Sequence, residues 1–142
     1  MATIRQLLDV KGHEVLSIGP EGSVYDAIKL MALQNVGSLI VLDNNALIGI
    51  VTERHYARNV FLKGRSSPKT MVGDIMSTRV VCAIPEQTVE EAMAVMTEKG
   101  VRHLPVLNGK EVIGIISIGD LVKSIIEGQQ FVIDQLERYI SG

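Results

Sequence analysis

The sequence predicts an α/β (α+β) fold of two tandem β-α-β-β-α repeats, with two small sheets packed among flanking helices in a pseudo-two-fold arrangement. The first observation is an internal repeat, because the 142-residue chain matches itself without a gap at a shift of 65 residues. The match gives 13 identities in the 47 pairs from Val15/Val80 to Phe61/Ile126, where chance gives about three. The second observation is that both copies carry the same order of helical and strand patterns. One copy buries too little surface to be stable alone, so the two should pack together.

Each copy begins with a short extended stretch, Val15–Ile18 or Val80–Ile84, and continues into an amphipathic helix. Ser23 and Thr88 are the predicted N-caps, and Thr88 has capping-box spacing to Glu91. Apolar residues then recur at the i, i+3, i+4, i+7 spacing that indicates a helix. They are Val24, Ala27, Ile28 and Met31 in the first copy, and Val89, Ala92, Met93 and Met96 in the second.

Two short apolar strands follow the helix in each copy, and a second helix begins after Thr52 and after Ser117. The sequence between the first pair of strands, Asp43-Asn44-Asn45, predicts a turn. In the second copy Asn108-Gly109 predicts a type I′ hairpin turn. The predicted strands are Ser38–Leu42 and Leu47–Thr52, then His103–Leu107 and Val112–Ser117.

Four segments are predicted along the chain. Residues 1–64 hold the first repeat with an N-terminal segment, 65–79 the linker and lead-in, 80–127 the second repeat, and 128–142 an extension of the last helix. The polar stretch Lys63–Met71 predicts an exposed crossing loop with solvated basic residues. The tail continues the last helix with an apolar stripe that either covers the core or docks on a partner chain. That stripe comprises Phe131, Val132, Ile133, Leu136 and Ile140.

The composition excludes several classes of protein. Hydrophobic residues make up 46% of the chain and charged residues 21%, which is typical of a globular domain. The net charge of -2 argues against binding nucleic acid through its phosphates. No apolar run approaches the roughly 18 residues of a membrane span, and the first twelve residues do not resemble a signal peptide. With a single cysteine, the predicted compartment is the cytoplasm.

The sequence offers no catalytic or metal site. A Walker lysine loop, a Gly-x-Gly-x-x-Gly fingerprint and a nucleophile-triad signature are all absent. His13, His55 and His103 are scattered without metal-ligand spacing. Cys82 lies in a predicted apolar strand and is interpreted as inert core rather than as a nucleophile. No catalytic residue, metal or required cofactor is therefore predicted.

A short motif ends the last strand of each copy, and two further motifs lie within the second copy and just before it. Gly-Ile-Val-Thr ends at Thr52 and Gly-Ile-Ile-Ser at Ser117, while Val101–Val106 and Gly73–Ser77 add further motifs. In this order they resemble a CBS-domain pair, or Bateman module, over roughly residues 3–127, and the chain looks like a stand-alone module. The resemblance implies a regulatory protein that binds AMP, ADP, ATP, NAD or S-adenosylmethionine in clefts between its repeats. It also implies a homodimer and an unknown regulated partner.

The motif Ser117-x-Gly119-Asp120 opens the last helix, where exposed amides favour an anion. A carboxylate one turn inside the helix can accept hydrogen bonds from both hydroxyls of a ribose. The resemblance assigns Asp120 to the ribose and Ser117 to the phosphate region. The same spacing also fits a capping box that binds no ligand, and the two interpretations can coexist.

The first copy departs from this motif, because it reads Thr52-Glu53-Arg54-His55 and has an imidazole in place of the carboxylate. A neutral imidazole cannot accept two ribose hydrogen bonds. This cleft should therefore bind a ribose weakly, stay empty or hold a ligand in another pose. Arg54, His55 and Arg58 either face phosphates or form a solvated helix face.

The resemblance also implies that each cleft uses residues of both copies. The Ser117/Asp120 cleft would add Val36, Gly37 and Ser38, and the Thr52/His55 cleft would add Val101, Arg102 and His103. Leu16 and Val81 would line the base. On the alternative interpretation, Arg102 is a surface charge and His103 a satisfied half-buried side chain. Two functions remain open: an adenine-nucleotide sensor, or a structural dimeric interaction module with vestigial clefts.

Overall fold

The structure, a computed structural model that describes residues 2–141, divides into two compact units. One unit is Val15–Val80, and the other joins the segment up to Glu14 to the chain from Val81 onward. Each unit has its own hydrophobic core. In chain order the elements are α1 (Ile4–Lys11), β1 (Ser17–Ile18), α2 (Val24–Gln34), β2 (Ser38–Asp43), β3 (Ala46–Thr52), α3 (Glu53–Tyr56), α4 (Val89–Lys99), β4 (His103–Asn108), β5 (Glu111–Ser117) and α5 (Ile118–Ser141).

The first-repeat unit contains a three-stranded sheet in the order β1-β2-β3, with β1 parallel and β3 antiparallel to β2. Ser23 caps α2 by accepting a hydrogen bond from the backbone N–H of Asp26 at 3.0 Å. Asn44 and Asn45, between β2 and β3, have φ values of 50° and 64°. Positive φ at both central residues is the requirement of a type I′ turn, so the turn predicted here is confirmed.

The second-repeat unit has the same plan with a shorter first strand. β4 and β5 pair antiparallel, and Ala83 alone forms a parallel bridge to Val106 where the first repeat has β1. The predicted extended stretch Val80–Ile84 is therefore reduced to one bridge, and Cys82 lies outside any strand. The predicted type I′ turn is wrong here, because Asn108 ends β4 and Gly109 has the positive φ, 65°, without a second such residue beside it.

A lead-in segment completes each unit. In the second-repeat unit Ile4, Leu7 and Leu8 of α1 are buried in the core. In the first-repeat unit Ser77 pairs with Ile50 through two backbone hydrogen bonds of 2.9 and 3.0 Å.

The two lead-in segments explain the glycine that both repeats carry in Ile-Gly-Ile. A Cβ added to Gly114 would lie 2.7 Å from the Leu8 side chain, and one added to Gly49 would lie 2.6 Å from Met76 Sδ and 2.9 Å from the Ser77 carbonyl oxygen. Each repeat is thus completed by the segment that precedes the other repeat along the chain. The boundaries predicted from chain order, 1–64 and 65–79, differ from the packing at both segments.

The last helix, α5, spans 24 residues, of which only Leu121 is buried. Every described residue from Ile126 to Ser141 is exposed, although many of them are apolar. The predicted helical tail is confirmed, and within residues 2–141 no helix is long and apolar enough to cross a membrane.

Candidate functional site

The two helix starts that carry the motifs have the same surroundings. Ser117 at the end of β5 lies opposite His103, and the N–H of Ile118 donates to the Arg102 carbonyl at 2.9 Å. In the other unit Thr52 lies opposite Ser38, and the N–H of Glu53 donates to the Gly37 carbonyl at 3.1 Å. The structure therefore brings each helix start together with the loop before the first long strand of its own repeat.

Ser117 and Asp120 form a reciprocal capping box. The backbone N–H of Ser117 donates to Asp120 Oδ2 at 2.8 Å, and the N–H of Asp120 donates to Ser117 Oγ at 3.2 Å. The capping interpretation is therefore confirmed for this motif. A carboxylate has about four lone-pair sites on its two oxygens, so the cap leaves capacity for a ligand.

Lys11, at the end of α1, is a member of this site that the sequence did not indicate. Its Nζ donates to Asp120 Oδ2 at 2.6 Å and to the Ile115 carbonyl oxygen at 2.6 Å. Both side chains of this ion pair are partly exposed. The pair is separated by 109 residues along the chain, so no local motif joins them. The apolar face of α1 indicates that this helix is packed against a core, but it does not indicate which element Lys11 reaches.

The carboxyl group of Asp120 is held in its charged form. Partial burial would raise its pKa, but hydrogen bonds from Lys11 and Ser117 and the Lys11 charge outweigh burial and lower the pKa below its usual value. Asp120 is therefore an ionised acceptor at neutral pH, with its charge balanced by a neighbouring ammonium.

The first repeat builds the same cap from different chemistry. The N–H of Thr52 donates to His55 Nδ1 at 3.1 Å, and the N–H of His55 donates to Thr52 Oγ1 at 3.2 Å. Because Nδ1 accepts, the ring proton is assigned to Nε2. Burial, followed by the charges of Arg54 and Arg58, lowers the pKa of His55, so the ring is neutral at pH 7. Arg54 and Arg58 are exposed, in line with the solvated-face interpretation.

Several of the remaining predicted residues make contacts within their own units. The N–H groups of Val36 and Val101 donate to carbonyls of the preceding helices at 3.0 and 3.1 Å. Leu16 and Val81 each pack against the core of their own unit. Gly119 is exposed beside Ser117. The shared clefts that combine residues of both repeats stay a prediction.

The surroundings of two other titratable side chains, His13 and Cys82, shift their pKa values. His13 bonds the Asp9 carboxylate at 3.2 Å and the Ile113 carbonyl at 3.0 Å, and these bonds raise its pKa. Burial raises the pKa of the half-buried Cys82 thiol, which disfavours the reactive thiolate. Among residues 2–141 there is no cluster of three or more His, Cys, Asp or Glu side chains that could hold a metal ion.

Comparison with known families decides what the doubled unit is. The CBS domain model matches residues 8–61 and again 72–127. The chain belongs to the CBS-domain family. The resemblance and the fold class predicted from the repeat are thereby confirmed, and this chain is a CBS pair, a regulatory type of module.

Among curated relatives, this CBS pair is 42% identical to the CBS domain-containing protein CBSX3, mitochondrial, of Arabidopsis thaliana, over 99% of this chain and 72% of the relative. Among solved structures, it is similar to a putative signal-transduction protein with CBS domains from Burkholderia ambifaria, at 49% identity and a TM-score of 0.86, covering 90% of this chain and 96% of that chain. The CBS domain pair of protein MJ0100 was solved in complex with 5′-methylthioadenosine and S-adenosyl-L-methionine. It has 20% identity and a TM-score of 0.78 over 91% of this chain and 98% of that chain, which shows a shared fold.

Proposed function

We propose that this CBS pair is a non-catalytic regulatory module that binds an adenine nucleotide, AMP, ADP, ATP or NAD, between its repeats and modulates a partner protein. The observation that carries the proposal is the ionised Asp120 carboxylate, one turn inside α5 and beside the Ser117 hydroxyl. A carboxylate suits a ribose diol, and the amides of a helix start suit a phosphate. The adenosine ligands of the distant MJ0100 pair have the same ribose and base chemistry.

The two clefts differ in this proposal. The cleft that contains Asp120 is the tighter site and is completed by Val36, Gly37 and Ser38 of the other repeat. The cleft that contains His55 is the weaker site, because its neutral imidazole already uses Nδ1 to cap α3 and has no second acceptor. Val101, Arg102 and His103 complete this weaker site.

A second candidate function is a structural interaction module with vestigial clefts. Two observations favour it: both motifs are engaged as helix caps, and α5 carries a long exposed apolar stripe. A chain that binds a ligand can also dimerise through this stripe, so a homodimer is expected under both candidate functions.

The homodimer is proposed to form through α5. The exposed apolar residues of α5 run from Ile126 to Ile140, which is about 21 Å of helix at 1.5 Å per residue, and a second apolar helix could cover them. The same helix of a second copy offers one in a two-fold, self-complementary pairing. The cytoplasm stays the proposed compartment, and fractionation of cells that express a tagged chain tests it.

Thermal unfolding with added nucleotide tests the first candidate against the second. A ligand that binds only the folded chain adds about 2.7 kcal/mol at a hundredfold excess over its Kd. We expect a higher Tm with millimolar AMP, ADP, ATP or NAD, and no gain from the same concentration of cytidine monophosphate. Equal Tm values with all of these compounds would favour the structural module.

A further inference from the structure

The ion pair between Lys11 and Asp120 adds a charge to the proposed site that neither helix-start motif contains. We propose that Lys11 determines the charge preference of this site, so that the Asp120 cleft favours adenosine ligands with phosphate groups over neutral or cationic ones. The inference rests on the proposed function, because it concerns which adenosine ligand the site selects.

The position of Lys11 is fixed by the packing of α1. Ile4 and Leu8 are fully buried, and Leu8 lies against Gly114 of β5. The helix ends directly after Lys11, where the N–H of Gly12 donates to the Leu8 carbonyl at 2.7 Å. The bond from Lys11 Nζ to the Ile115 carbonyl then holds the ammonium against the end of β5. The cation is therefore built into the unit that carries Asp120.

The ammonium also has the hydrogen-bonding capacity to act on a ligand. It carries three N–H donors, and the bonds to Asp120 and Ile115 use two of them. The third can be donated to a ligand oxygen. Since Nζ lies 2.6 Å from the carboxylate that would hold the ribose, any ligand on Asp120 would also lie near this charge.

The charges of the pair explain the expected selectivity. With Lys11 in place, the ammonium balances the negative charge of the Asp120 carboxylate, and the positive helix start then faces the ligand. Without Lys11, the same carboxylate would repel a phosphate and attract a sulfonium cation. In a partly exposed site, one protein charge next to an oppositely charged ligand changes the affinity for that ligand by about tenfold. Salt reduces this effect.

The test is calorimetric titration of AMP, adenosine and S-adenosylmethionine into the full chain and into Lys11→Met and Lys11→Arg. Methionine keeps an unbranched apolar stem but removes the charge and both hydrogen bonds of Nζ, so its Tm without ligand should fall by only about a few degrees, as expected for the loss of a partly exposed ion pair. We expect Lys11→Met to weaken AMP about tenfold relative to adenosine and to tighten S-adenosylmethionine. Lys11→Arg should restore the preference for AMP. Lys110→Met is the matched control, because it removes an exposed lysine from the turn between β4 and β5.

The outcomes separate this inference from the proposed function. If the unsubstituted chain binds AMP and Lys11→Met changes all three affinities by the same factor, the role of Lys11 is overturned while the nucleotide site stands. If the unsubstituted chain binds none of the three compounds, the proposed function fails and this inference fails with it. A restored AMP preference in Lys11→Arg supports a role for charge, which a purely structural contact would not produce.

Discussion

At the scale of single residues, a carboxylate and an imidazole close the same cap in the two repeats. The spacing of Ser117 and Asp120 predicted a possible capping box, and the structure contains it. The matching cap of Thr52 and His55 was not predicted, because the accepting nitrogen of a histidine depends on its neighbours rather than on spacing. Lys11 could not be predicted either, since its link to Asp120 exists only after α1 has packed.

Replacing His55 tests the difference between the two clefts. His55→Asp supplies a carboxylate that can accept two ribose hydroxyls, so we expect a second nucleotide-binding event or a tighter weak one. Calorimetric stoichiometry measures this directly. His55→Asn is the matched control, because it keeps an acceptor for the Thr52 N–H without the charge. Identical stoichiometry and affinity in His55→Asp and the unsubstituted chain would contradict the assignment of this cleft.

The lowered pKa of His55 predicts a pH dependence of stability. Because the folded chain disfavours the charged ring, the unfolded chain binds more protons as the pH falls below about 6.5. His55 therefore stabilises the fold above that pH, and its contribution is lost as the pH falls through the folded pKa. Chemical unfolding at pH 7.5 and pH 5 should show a smaller acid destabilisation in His55→Asn. An equal or larger loss in that variant would be the opposite result.

At the scale of elements, the repeated glycines show what the internal alignment could and could not reveal. The pairing of Gly49 with Gly114 predicted equivalent strands, and both glycines lie in them. What each glycine accommodates is a lead-in segment, and an alignment of the two copies contains no information about which segment packs there. The bounds of β2, β3, β4 and β5 were predicted to within one residue, because short apolar runs bounded by turn residues are local signals.

Filling the space beside β3 should destabilise the first-repeat unit. A Cβ at Gly49 would meet the backbone oxygen of Ser77 at 2.9 Å, so Gly49→Ala forces the paired lead-in segment to shift. We expect a loss of about 1–3 kcal/mol in the free energy of unfolding, measured with denaturant. Gly128→Ala is the control, because it adds a methyl group to open space on α5 and should not destabilise. Unchanged stability in Gly49→Ala would show that the close contact is easily relieved.

The apolar stripe on α5 predicts where a second copy binds. Ile126, Ile133, Leu136 and Ile140 lie on one side at helical spacing and are 47% to 82% exposed. Phe131, which the sequence placed in the stripe, lies about 140° from Leu136 around the helix and is therefore off this face.

Charge on the stripe should dissociate the homodimer. We expect Leu136→Glu to sediment as a monomer of 15.5 kDa, while Phe131→Glu, at a residue that is also exposed but lies off the face, stays a dimer. A monomeric unsubstituted chain at tens of micromolar would rule out this pairing, and equal dissociation by both substitutions would place the interface elsewhere.

At the scale of the whole molecule, the repeat and its motifs predicted the family, the fold class and the capping box of Ser117 and Asp120. The chain order did not predict the division into units, because connectivity and packing differ at α1 and at the lead-in segment around Ser77, which precedes α4. The pseudo-two-fold packing of the two sheets and the clefts that combine both repeats stay predictions. These clefts are where the proposed function would operate, so a measurement on the intact chain is the direct test.

That measurement is a calorimetric titration of AMP and ATP into the unsubstituted chain and into Asp120→Asn. Asparagine retains an oxygen that can cap α5 but lacks the charge, so the fold should persist while the ribose acceptor is weakened. The account predicts saturable binding to the unsubstituted chain and a loss of about tenfold to a hundredfold in Asp120→Asn. Binding of equal affinity in both chains, or no binding of either nucleotide to the unsubstituted chain, would contradict it.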